Sequence, residues 1–255
     1  MDFPVTRESL NQVDSWVHMF AQQLAPAVRV PVQNSFRWEH PEKNARAVQV
    51  AKAVRAVSAL RAALHLADLN HTIECLVLLR TVADFAAEII YLDEAELEGR
   101  LTKDQSTFVE QHFAPFPNDP DELAAREREY YIGRKDIARA HRRIMEKFGA
   151  PADEMNKIAA YLSKAYDVHV HGANVSAMEL YDARINSFML RGHLSPRFVC
   201  MAKAAVAAKT QEFLIALRFM ALAWRLEELS DAINRAIEEL DSSGEDAGAP
   251  CIALA

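Results

Sequence analysis

Residues 72 to 92, TIECLVLLRTVADFAAEIIYL, carry apolar side chains on nearly every side of a 3.6-residue period. A helix that is apolar all round belongs in the middle of a bundle, not on its surface. The same stretch carries Arg80, Asp84 and Glu88 at every fourth position, so their side chains stack along one line of the helix. An ion moved out of water without a partner loses several kcal/mol of solvation, roughly, so charges placed there must be paired. A buried helix with a charged line is thus the element around which the rest of the chain has to be arranged.

Glycine is scarce, at 7 of 255 residues, and 51% of the chain is hydrophobic. Glycine costs about 1 kcal/mol in a helix interior relative to alanine, so this bias favours helices. The expectation is an all-α fold: a single-domain bundle of about six to eight helices over residues 1–240 around the central helix 72–92, with residues 241–255 as a flexible acidic tail. A formal charge of −7 gives no strong signal for a nucleic-acid surface. Cys75, Cys200 and Cys251 lack a CxxC spacing and are odd in number, which fits reduced thiols and a cytoplasmic setting. No signal peptide is read at the start and no run of 18 apolar residues occurs, so no membrane partner is expected.

Local signals divide the chain. Thr6 is a plausible N-cap for a first helix running to Leu24, with Leu10, Val13, Val17 and Phe20 on one face. Pro26, Pro31 and Pro41 mark an extended connection, which Phe36 and Trp38 are expected to pin to the body. A second helix spans Glu42 to Asp68, with Val50, Val54, Val57, Leu60 and Leu64 inward and Lys43, Arg46, Lys52, Arg55 and Arg61 on a solvated face. Gly99 is a natural stop for the central helix, and Thr102 with Gln105 has capping-box spacing for the next, to Phe113. Asp121 to Phe148 is highly charged and is expected outside the core. Helix is expected again from Ala152 to Val168, around Ser176 to Leu190, and from Ser195-Pro196 to Leu240, the last long enough to bend.

Two constellations could carry chemistry. The line Arg80, Asp84, Glu88 is either a polar pocket in which arginine binds an anion or an ion pair that fixes packing. The second lies around Ser163 and Tyr166-Asp167-Val168-His169-Val170-His171-Gly172. If the chain is extended from Val168, both imidazoles face one side and could hold a phosphate or exchange protons near neutral pH. Otherwise they bond to backbone at a helix end. No HExxH, GxSxG, GxGxxG or GxxxxGK[ST] motif occurs, so no metal and no cofactor is assigned.

LLRTVADFAAEIIYL together with YLSKAYDVHVHGANVS resembles an uncharacterised bacterial all-helical domain-of-unknown-function family, which pairs a helical LLR-x3-[E/D] element with Y-x-LS-x-x-x-H-[G/P]. More remotely it is similar to the HEPN superfamily of helical domains, some of them RNases of toxin–antitoxin and phage-defence systems. The resemblance covers roughly residues 45 to 190 and matches Arg80, Asp84, Ser163 and either His169 or His171. Asp84 stands where the family has glutamate, and the second histidine is an addition. HEPN RNases also carry arginine and histidine on one helix with four to six residues between them; here only Arg134 and His141 have that spacing, which this composition yields by chance.

The leading expectation is a helical binding or regulatory module whose ligand residues are Arg80, Asp84, Glu88, Ser163, Tyr166, His169 and His171. The alternative is a HEPN-like RNase effector in which Arg80 and His169 or His171 flank the RNA phosphate as catalytic candidates. The partners implied are a small anionic ligand or RNA, and a second copy of the chain in a homodimer.

Overall fold

The structure, a computed structural model, describes residues 5–32, 35–114, 134–147, 181–182, 186–189 and 196–252. Seven helices account for most of them: α1 (Arg7–Ala21), α2 (Ala45–Asp68), α3 (Thr72–Glu98), α4 (Lys103–Phe113), α5 (Arg134–Lys147), α6 (Pro196–Ala223) and α7 (Glu227–Ile252). Two antiparallel ribbons complete the described elements: β1 (Val28–Val32) with β2 (Ser35–Glu39), and β3 (Tyr181–Asp182) with β4 (Ser187–Phe188). The fold is an all-α bundle with α2 and α3 at its centre.

The caps follow from local chemistry. Thr6 and Ser9 form a reciprocal capping box at the start of α1, and Thr102 and Gln105 do the same for α4. Asn44 accepts from the Ala47 amide at 3.0 Å, so α2 begins at Ala45 rather than Glu42. Gly99, at φ 66°, ends α3 in the left-handed region that costs glycine little.

Close packing of α2 on α3 rests on a row of small residues. Ala47, Ala53, Ala56, Ala63 and Ala67 are all buried and let the two backbones approach. From α3, Cys75, Leu79, Val82, Ala86 and Ile89 enter the same core, joined by Val206, Phe213, Leu217 and Met220 of α6. α1 closes one side, with Phe20 edge-on to Trp224 at 5.3 Å between centroids. A smaller cluster of Val48, Tyr91, Leu92, Phe108, Val109 and Ala140 lies where α4 and α5 meet α2 and α3.

Several expectations are corrected. The connection after α1 is a β-hairpin, and Phe36 and Trp38 do not anchor it: they are 42% and 65% exposed and meet each other edge to face. Val54 points outward and Lys52 inward, because the inner face of α2 is centred on its alanines. The described part of the charged segment 121–148 is not wholly outside the core, since Ile144 is buried there. Around 176–190 the described residues form the β3–β4 ribbon rather than helix. The long helix from Pro196 does not bend but ends: Arg225, at φ 61°, turns the chain and α7 begins. α7 then runs to Ile252, through part of the stretch expected to be a tail. Cys75 is free and sealed in the core, whereas Cys200 is disulfide-bonded, contrary to thiols reduced throughout. The expected helix from Ala152 to Val168 lies outside the described residues.

Candidate functional site

The charged line of α3 exists, but its members pair in two directions. Arg80 forms an ion pair with Asp84 one turn on; the arginine side chain is only 7% exposed, the aspartate 50%. Arginine preceding the acid at i, i+4 is the less favourable order against the helix dipole, so the pair adds little to helix stability itself. Glu88 turns instead to Lys52 of α2, with Nζ 2.7 Å from the carboxylate oxygen. That approach is close but poorly aligned as a hydrogen bond.

Lys52 sits in an aromatic enclosure. Its ammonium lies 5.2 Å from the Phe85 ring centroid and 5.7 Å from that of Phe108. Burial pushes the Glu88 carboxyl up, with Asp84 adding to the rise and Lys52 opposing it. His112, on the last turn of α4, is shifted down by burial and by the Lys52 cation, which favours a neutral imidazole. Lys52, Glu88 and His112 therefore form a connected electrostatic group beside Arg80 and Asp84. Within it Lys52 can hold an anion, and a neutral His112 can pass a proton.

A second polar group lies deeper. The Gln49 side-chain amide donates to the Asp93 carboxyl at 2.6 Å and to the Ile89 carbonyl at 3.1 Å, and its oxygen accepts from the Trp224 indole N–H at 3.0 Å. Asp93 is wholly buried, and its second oxygen has no hydrogen-bond partner. Burial drives its acidity well below that of an ordinary aspartate, with Glu96 adding to the effect and Gln49 only partly offsetting it. Above the group, Arg46 pairs with Glu96 at 2.9 Å and lies over the Trp224 ring at 4.8 Å. The group ties α2, α3 and the end of α6 together.

Arg80, Asp84 and Glu88 thus lie along α3 as the spacing predicts, with Arg80 buried, Glu88 largely buried against Lys52 and only Asp84 reaching solvent. Ser163, Tyr166, His169 and His171 lie outside the described residues. Lys52, His112, Gln49 and Asp93 were missed in the sequence. Asp93 gave a usable signal, being a carboxylate in an otherwise apolar turn of the buried helix; Lys52 and His112 gave none. Among the described residues no group of three or more histidine, cysteine, aspartate or glutamate side chains is gathered as a metal would need, and no helix is long and apolar enough to cross a membrane. No family model matches the chain, and no curated protein or solved structure is significantly similar to it.

Proposed function

We propose that this chain is a helical binding or regulatory module whose site is the α3 line, and that it takes a small anionic ligand. One observation carries the reading: the cations are sunk deeper than the acids that pair with them. The Arg80 and Lys52 side chains are 7% and 14% exposed, against 50% for Asp84 and 22% for Glu88. A pair built only to fix packing gains nothing from leaving its carboxylate at the solvent end. An anion arriving from solvent meets Asp84 first and can take its place on the guanidinium, whose planar fork suits carboxylate and phosphate. On this reading Ser163 and either His169 or His171, which the resemblance to the helical family matches, join the site together with Tyr166 beside them in the sequence.

The test is thermal unfolding in phosphate and in chloride at matched ionic strength. Binding to the folded state should raise the melting temperature of the wild type in phosphate, by linkage. The rise should disappear in Arg80→Lys, which keeps the charge and loses the fork. A wild type indifferent to phosphate, sulfate and small carboxylates rejects the proposal. RNA cut by the wild type and spared by Arg80→Ala and His169→Ala replaces it with the RNase alternative.

A further inference from the structure

The β1–β2 hairpin stands away from the core with its aromatic side chains in solvent. In register, Arg29 faces Trp38 and Pro31 faces Phe36, so these four residues share one face of the ribbon. Trp38 is 65% exposed, whereas Trp16 and Trp224 are 6% and 5% exposed. The Phe36 and Trp38 rings meet edge to face at 5.9 Å, and the Arg29 guanidinium lies 3.8 Å from the Phe36 centroid. Arg37 on the opposite face is neutralised by Glu39, but Arg29 has no carboxylate partner among the described residues. An isolated two-stranded hairpin is marginal in water and gains nothing from exposing an indole. Open rings beside an uncompensated cation are the chemistry that holds unpaired bases and the phosphates between them.

We propose that this face binds single-stranded RNA, with a base stacked on Trp38 and the neighbouring phosphate held by Arg29. The site is separate from the α3 line and does not depend on it. Because the whole chain carries −7, the body repels a polyanion and cannot steer it from a distance. Stacking must supply most of the affinity, and the salt dependence must be shallow: one phosphate contact gives a slope of about −0.7 in log K against log salt, where an extensive basic surface gives several times that.

The experiment is a titration of the full chain into a labelled single strand of about twelve uridines, a length within the range one stacking surface covers. Anisotropy and tryptophan emission are followed together. Trp38 is the exposed indole, so emission should quench as anisotropy rises. Trp38→Ala should weaken binding roughly five- to a hundredfold, the range seen when one stacked base is lost. Trp38→Phe should keep part of the affinity without the quenching, and Arg29→Gln should flatten the salt slope. Circular dichroism and sedimentation are run on every variant. The proposal fails if the wild type does not bind, if duplex RNA of equal length competes as well as the single strand, or if Trp38→Ala binds like the wild type. It fails too if Trp38 instead holds two copies of the chain together, seen as a wild-type dimer that Trp38→Ala dissolves.

Discussion

Asp93 shows how burial sets the behaviour of a single group. A carboxylate with one neutral donor and no cation near it is far costlier to ionise than one in water, so its acidity falls on folding. With the folded pKa raised above the unfolded value near 3.9, the folded state binds the proton more tightly than the unfolded chain does. The stability this adds is fully present below the unfolded pKa and is lost as pH rises towards the folded pKa. Asp93→Asn keeps the shape and accepts from Gln49 through its amide oxygen, without the charge. It should therefore be more stable than the wild type at pH 7, with the difference shrinking as pH is lowered towards 4. Urea unfolding of both proteins across that range measures it; parallel stability curves would show that Asp93 does not change its protonation on folding. Cys75 obeys the same rule, its thiol pushed up to about 12 by burial alone, which makes it a poor nucleophile.

Between elements, the contact of α2 with α3 combines an apolar seam with two ion pairs, Arg46 to Glu96 and the more buried Lys52 to Glu88. Truncating one partner strands the other in a largely dry place, so Lys52→Met should cost roughly 2–3 kcal/mol. The double variant Lys52→Met with Glu88→Leu should recover most of that, because two apolar side chains of similar size suit the space beside Phe85 and Phe108. A double-mutant cycle by urea denaturation decides between this and a simple sum of losses. The same pair shows where sequence reading stops. The caps at Thr6 and Thr102, the Gly99 stop and the central place of α3 were legible because each is local chemistry or strong periodicity. Most of the inner face of α2 was legible too, since Val50, Val57, Leu60 and Leu64 are buried as expected. Its edges were not: alanine is too small to mark a face by hydropathy, so Val54 was drawn inward and Lys52 outward. Phe36 and Trp38 misled for a related reason: large apolar residues usually anchor a loop, and nothing local distinguishes those that do not. At the site, Arg80 and Asp84 could be paired from spacing alone, whereas the Lys52–Glu88 partnership required knowing how two helices face each other.

For the whole molecule, the two ends of the chain are joined through the core. α1 lies against the end of α6 through Phe20 and Trp224, and the Trp224 indole supplies the donor that Gln49 lacks within its own neighbourhood. Trp224→Phe would preserve the ring contact with Phe20 and remove that donor. It should cost about 1–3 kcal/mol, the penalty for a buried acceptor left unpaired. Equilibrium unfolding measures it, and a loss within error would mean that water reaches Gln49 in the folded state.

Gln49 and Trp224 are 175 positions apart. At about 5–20 residues per second, a ribosome needs roughly 10–35 s to make the stretch between them. During that interval the α2–α3 pair emerges with the Gln49 side-chain oxygen unanswered and its α6-facing surface bare. That surface stays bare until α6 is made and packs on it, so closure of this core waits on a helix encoded far downstream of the pair it covers.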